Sequence, residues 1–214
     1  MDMVKNKTFL VTGSSSGIGK TITELLLKNE AKVIGLSRKK NNFDNFKNFF
    51  HFKIDLSNPL YSFEKIKEII PRFKEINGLI SNAGNGDFRS LENFSSGQIE
   101  KFISLNLTSH ILITRSLLPH FKKNKKGSII FIGSESALKA KKYGSLYSAC
   151  KFGLRGFSKS IRHECSINNI KVTIINPGMV KTSFFKNLQF SHGDKVGEFI
   201  ETSDIGKIVL DILN

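Results

Sequence analysis

The sequence predicts an α/β protein, a doubly wound parallel sheet sandwiched between helices in three α/β/α layers. Three observations carry that prediction. Short apolar runs alternate along the chain with segments whose apolar residues recur at helical spacing. A glycine-rich stretch, Thr12-Gly13-Ser14-Ser15-Ser16-Gly17-Ile18-Gly19, stands between the first run and the first helical segment. No repeat, low-complexity linker or internal boundary interrupts the 214 residues, so residues 1–214 read as a single domain.

In order, Thr8-Phe9-Leu10-Val11 forms the first strand, and Ile18, Ile22, Leu25 and Leu26 mark the helix after it. Residues 32–36 and 50–54 are the second and third strands. Pro59 suits a helix N-terminus, and the helix it opens runs to about residue 73. Residues 78–81 are the fourth strand. A long helix follows over 96–122, broken near Asn106. Residues 127–133, 147–168 and 170–175 give a strand, a helix and the sixth strand, and residues 203–213 close as a helix. Strands alternating with helices imply right-handed βαβ crossovers and a parallel sheet. Residues 187–198 are weakly patterned and read as a mobile loop.

Bulk properties exclude several classes. Hydrophobic residues make up 39% and charged residues 24%, which suits a globular chain. No apolar run approaches the ~18 residues of a membrane span, and the N-terminus shows no signal-peptide pattern. Cys150 and Cys165 lie in one helical stretch, which separates them by ~22 Å of helical rise, too far to bridge. A reduced, cytoplasmic protein is expected. Net charge is +15, from 33 Lys+Arg against 18 Asp+Glu. That field can attract nucleic acid or phosphorylated ligands. The densest clusters, Lys122 to Lys126 and Lys139 to Lys142, fall in expected loops without stacking aromatics, so they read as solvated charge. His110, His120 and His163 form no metal-ligand set with the cysteines and read as ordinary helix or helix-end residues. No metal, membrane or nucleic-acid partner is expected.

Two local patterns carry chemistry. Tyr147-Ser148-Ala149-Cys150-Lys151 puts a phenol and an ammonium four residues apart, on one helix face, with Ser134 thirteen residues upstream of the phenol. A nearby positive charge favours the phenolate, so Lys151 is expected to lower the pKa of Tyr147. In the glycine-rich stretch, glycines let a pyrophosphate approach the backbone, and the N–H groups of the following helix face the anion. Its spacing is G-x-x-x-G-x-G, neither the general dinucleotide fingerprint nor a P-loop.

Together these patterns resemble the short-chain dehydrogenase/reductase family in its compact, single-domain, Rossmann-type form. Thr12-Gly13-x-x-x-Gly17-x-Gly19 matches the family's cofactor loop, and Asn82-Ala83-Gly84 its motif after the fourth strand. Asn106, Ser134, Tyr147 and Lys151 match its catalytic positions, and Pro177-Gly178-Met179-Val180-Lys181-Thr182 its nicotinamide-binding segment. The resemblance covers residues 5 to about 185. It implies hydride transfer between NADP(H) and a carbonyl or secondary alcohol. Tyr147 would be the general acid in reduction and the base in oxidation. Lys151 would lower its pKa and hold the nicotinamide ribose. Ser134 would stabilise charge on the substrate oxygen. Asn106 would position a water leading to Lys151, although a helical asparagine can also bond a kinked backbone.

The cofactor would be cradled by Gly13, Ser15, Ser16, Gly17, Ile18 and Gly19. Asn82, Ala83, Gly84, Tyr147, Lys151, Pro177, Gly178, Val180 and Thr182 would complete the cofactor site, the last four belonging to the segment that holds the nicotinamide. At the end of the second strand, Ser37-Arg38 stands where an acidic residue would hold the ribose of NAD. Arg38 can instead pair with the 2′-phosphate of NADP, so NADP(H) is preferred and NAD(H) remains possible. Against this, many NADP-preferring relatives carry a basic residue where this chain has Ser16. Asp55 and Leu56 follow the third strand, where the family meets the adenine, but Asp55 could equally cap the helix at Pro59.

The substrate is expected to be a small carbonyl or alcohol. A 3-oxoacyl thioester or sugar-nucleotide ketone, and a non-catalytic NADP-binding regulator, are the alternatives. Glu135, next to Ser134, is singled out without a role. Phe184, Phe185, Leu188 and Phe190 read as an apolar lid or as a core-facing turn. The sheet is expected to have six or seven strands, the C-terminal one missing, because nothing follows the last helix. The resemblance further implies pairing through the two long helices, hence a homodimer.

Overall fold

The computed structural model describes residues 3–40, 43, 45–182 and 199–214. The proposed lid residues and the patternless segment 187–198 lie outside the described residues. Six strands, β1 (Thr8–Thr12), β2 (Lys32–Ser37), β3 (Phe49–Lys53), β4 (Gly78–Ser81), β5 (Gly127–Ile132) and β6 (Ile170–Ile175), form one sheet in the order β3-β2-β1-β4-β5-β6. Every pairing is parallel. Helices α1 (Gly17–Lys28), α2 (Pro59–Ile69), α3 (Ser96–Ile103), α4 (Ser109–Asn124), α5 (Ser145–Ser166) and α6 (Thr202–Leu213) cover it. The chain winds from β1 outward to β3, then returns to lay β4 on the other side of β1. That reversal opens a crevice beyond the carboxyl ends of β1 and β4, where ligands of such sheets bind.

Strand sequences show why helices lie on both faces. Phe9 and Val11 of β1 pack with Ile22 and Leu26 of α1, while Leu10 faces the opposite way into a cluster with Ile113 and Leu117 of α4. In β5, Ile129 and Phe131 join the α4–α5 side, and Ile130 and Ile132 the α1–α6 side. Period-two alternation with apolar residues on both faces requires cover on both faces. Phe131 is fully buried against Phe157, and Phe131→Ala would cost about 3–5 kcal/mol by the usual cavity effect.

Three expectations need correction. The helix from Pro59 ends at Ile69 and tightens to a 3₁₀ turn over Ile70–Arg72, because Pro71 has no N–H to continue the ladder. The break near Asn106 is a π-helical turn, Ser104–Thr108, joining α3 to α4 without interruption. Lys122 and Lys123 are not in a loop. They form the last turn of α4, where positive charge meets the helix dipole, and Lys125 caps it at φ 47°.

Candidate active site

The crevice is a cleft of about 440 Å3. Its floor comes from the β1–α1 loop. Gly13 has φ +66°, and a Cβ there would meet Asn82 Nδ2 at 2.9 Å. Gly19 is needed for closeness instead, since any Cβ would collide with the Gly13 carbonyl oxygen and Asn82 Nδ2. Ser16 precedes α1 without capping it by its side chain, and the first turn carries no acidic residue. The amides at this end therefore remain available to an anion.

Gly13, Ser16, Gly17 and Ile18 line the cleft on this side, with the exposed Arg38 from the end of β2. Ser15, Gly19 and Ser37 are not among the residues that line the cleft, and Ser37 donates to the Lys39 carbonyl at 2.7 Å. Asp55 does not cap α2. Its Oδ1 accepts from the Ser57 amide and hydroxyl at 3.0 and 2.8 Å, while Asn58 makes the cap. Burial opposes its ionisation, but those bonds and the charges of Arg38 and Lys101 hold its carboxyl below the ordinary value. Leu56 is packed into the core cluster beneath the sheet, so its side chain is no part of the cleft wall.

Asn82, Ala83 and Gly84 turn out of β4 directly onto the cleft. The amides of Asn82 and Ala83 both donate to Thr12 Oγ1 at 2.9 Å, and Asn82 Nδ2 donates to the Thr12 carbonyl at 3.0 Å. Asn106 lies behind this turn, fully buried on the π-helical turn. Its Oδ1 accepts from the Asn85 amide at 3.1 Å. Its Nδ2 donates to Asn85 Oδ1 at 2.9 Å and to the Phe102 carbonyl at 3.0 Å.

The other wall holds the reactive groups. Ser134 follows β5, accepts from the Ser136 amide at 3.1 Å and hydrogen bonds the Tyr147 phenol. Tyr147 sits in the first turn of α5, packed against Phe88 at 5.1 Å and Phe102 at 6.5 Å between ring centroids. Lys151 lies one turn further on, 4% exposed, with Nζ 5.6 Å from the Tyr147 ring centroid and donating to the Ile132 carbonyl at 3.3 Å. Pro177, Gly178, Val180 and Thr182 complete the cleft after β6.

The expected lowering of the Tyr147 pKa is reversed in this state. Burial pushes it up to about 12, and the Ser134 hydrogen bond offsets only part of that. Burial likewise lowers Lys151 to about 8 and raises the neighbouring Cys150 to about 11, despite the lysine's charge. Both pattern residues are more enclosed than their spacing alone implies.

Four further residues line the cleft that sequence reasoning missed: Asn85, Gly86, Ile132 and Gly133. Asn85 had a signal, being the polar residue directly after Asn82-Ala83-Gly84. Glu135 sits at the rim: its Oε2 lies 3.7 Å from where a Gly178 Cβ would stand, and its Oε1 is paired with Lys141. Among the described residues no group of His, Cys, Asp and Glu could hold a metal, and no helix is long and apolar enough to cross a membrane.

The sequence model described as short chain dehydrogenase matches residues 7–192. The chain belongs to the short-chain dehydrogenase family. It is 35% identical over 190 residues to the 3-oxoacyl-(acyl-carrier-protein) reductase FabG of Buchnera aphidicola, covering 86% of this chain and 78% of that one. The fold matches that of ElxO with NADP bound, at 25% identity and a TM-score of 0.86, covering 98% and 92% of the two chains. It also matches 3-ketoacyl-(acyl-carrier-protein) reductase from Brucella melitensis complexed with NADH, at 22% identity and a TM-score of 0.87, covering 99% and 92%. This short-chain dehydrogenase is therefore an oxidoreductase of the carbonyl–alcohol class that uses a nicotinamide cofactor. The residues fit such a group, with uncapped amides at α1, glycines where a side chain would intrude, and positive charge from Arg38 and Lys151 on the cleft wall.

Proposed function

We propose that this short-chain dehydrogenase reduces a ketone, or oxidises the matching secondary alcohol, with NADP(H) in the cleft. One observation carries the assignment of roles: the Ser134–Tyr147 hydrogen bond, with Lys151 beneath the ring, faces the cleft whose far end is Arg38. When bound, the cofactor supplies or accepts the hydride. Tyr147 gives its proton to the carbonyl oxygen in reduction and takes it back in oxidation. A phenol titrating near 12 is protonated at neutral pH and ready to act as the acid. Ser134 donates to the same oxygen and stabilises the charge that grows there. Lys151 holds the ribose hydroxyls and recharges Tyr147. Asn106 acts from behind, by fixing Asn85 and the turn before it.

Arg38 favours NADP(H) over NAD(H), because β2 ends without an acidic residue and the guanidinium suits a 2′-phosphate. The polypeptide pairs as a homodimer through α3–α4 and α5, on which Ile103 and Phe152 stand exposed. The two buried, unpaired cysteines suit a reducing, cytoplasmic setting.

The identity to FabG favours a second reading of the substrate, a 3-oxoacyl thioester in place of a simple ketone. A panel of simple ketones, sugar-nucleotide ketones and acetoacetyl thioesters, followed by NADPH absorbance, tests both. Turnover of thioesters alone selects the second reading. No oxidation of NADPH with any carbonyl would overturn the proposal.

A further inference from the structure

We propose that His110 is a positioning residue for the cofactor-facing turn: together with Asn106 it clamps residues 81–85 at both ends and sets how Asn82, Ala83 and Gly84 meet the cofactor. This rests on reading the cleft as the cofactor site. His110 follows Asn106 by four residues across the end of the π-helical turn, and both side chains reach the same neighbouring segment. Asn106 grips Asn85, at the exit of the turn, through two hydrogen bonds. His110 Nδ1 grips Ser81 Oγ, at its entrance, at 2.7 Å. Thr12 holds the middle from β1.

The His110–Ser81 pair is sealed, at 1% and 0% exposure. A buried polar ring in such a place needs a reason, since an apolar residue would fill the space without desolvating two nitrogens. Here the ring satisfies the Ser81 hydroxyl but leaves its own Nε2 without a hydrogen bond among the described residues. Burial, and then the charge of Lys151, drive its pKa down to about 3, while the Ala83 backbone opposes this. The imidazole therefore stays neutral and serves by direction rather than charge. The tolerance it controls is small. At Gly84 a Cβ would lie 2.9 Å from Asn106 Oδ1 and 4.0 Å from Lys151 Nζ, so the turn, the π-helical segment and the lysine meet at one point. A shift of the turn moves the surface against which Lys151 works.

Three variants test this: His110→Leu, His110→Asn and Ser81→Ala. Asparagine can present a polar atom near the place of Nδ1, whereas leucine cannot. Amide exchange of the unliganded protein, thermal melting, and NADPH titration by nucleotide fluorescence are the readouts. His110→Leu should quicken exchange in residues 81–85 while β1 and β2 keep wild-type protection. It should weaken NADPH by about fivefold, the equivalent of one lost hydrogen bond. Ser81→Ala should do the same, the double variant should be no worse than either alone, and His110→Asn should restore binding to within about twofold. If His110→Leu does not fold, Ser81→Ala decides alone. Wild-type NADPH affinity and turn protection in the leucine variant would overturn the proposal, as would exchange that quickens evenly across the sheet. A wild-type protein that binds neither NADPH nor NADH would sink the cofactor reading instead, while the exchange pattern would still decide the clamp.

Discussion

Lys151 Nζ stands 5.6 Å from the centroid of the Tyr147 ring and donates to the Ile132 carbonyl, so it sits beneath the aromatic face and is tied to the end of β5. In this state burial outweighs any help the cation gives to phenolate, and the phenol holds its proton. Proton donation thus needs no prior adjustment, whereas abstraction from an alcohol does. Reduction should therefore tolerate lower pH than oxidation. Steady-state rates in both directions from pH 6 to 10 should show oxidation rising later with pH; coincident profiles would count against this ordering.

Tyr147→Phe keeps the ring and its contacts with Phe88 and Phe102 but removes the transferable proton. Turnover should fall by ~10²–10⁴-fold, while NADPH titration stays near wild type. A variant within twofold of wild-type turnover removes Tyr147 from the mechanism.

Lys151 should leave a signature in stability. Its pKa falls from 10.5 to about 8 on folding, so between those values the unfolded chain holds a proton that the folded chain lacks. The lysine's contribution to unfolding free energy then rises with pH, by up to ~1.4 kcal/mol per unit, and is read most cleanly between pH 8 and 9, because above 9 the raised Cys150 thiol acts in the opposite sense. Lys151→Met should flatten this limb, as denaturant titrations at pH 7.5, 8.5 and 9.5 can measure. Parallel curves for the two proteins would show that the lysine charge is not buried as described.

Arg38→Ala should weaken NADPH by about 10- to 100-fold, the range of a lost charged hydrogen bond, and leave NADH nearly unchanged. Calorimetric titration with both nucleotides checks it. Tighter binding of NADH than NADPH by the unmutated protein would reverse the assigned preference.

In solution the mass by light scattering should be twice that of the chain. Phe152→Asp, which places a charge on an exposed aromatic of α5, should halve it. A tetramer, or a dimer indifferent to Phe152→Asp, would place the contact elsewhere.

The strand and helix order was legible because each strand is a short apolar run and each helix an amphipathic one, both set by local spacing. Ser134, Tyr147 and Lys151 were legible for the same reason: Lys151 lies on the face of Tyr147 one turn on, and the strand end that carries Ser134 is near in sequence. Arg38 stood out as the residue in place of an acid, and it does line the cleft. What escaped depends on packing between distant segments. His110 read as an ordinary helical residue, because its partner Ser81 lies on β4 and only the sheet brings them together. The direction of the Tyr147 pKa was misread because spacing reveals Lys151 but not the shell of Phe88, Phe94 and Phe102 that dries the phenol. Leu56 was assigned to the cofactor from its place after β3, yet its side chain follows the apolar alternation into the core.

The π-helical turn at Ser104–Thr108 sets the phase of everything after it. It inserts one residue more than an α-turn would, and each α-helical residue rotates the helix by about 100°. Deleting a single residue there would restore an uninterrupted α-helix, yet it would swing Ile113, Leu117 and Phe121 away from the sheet or carry Asn106 off the turn it grips. The two faces cannot both be kept. The helix thus works as a vernier: its far end is indexed to the core, its near end to the cleft, and the wide turn carries the offset between the two scales. Insertions and deletions at this point should be tolerated far less than in the neighbouring loops, even where no side chain touches a ligand.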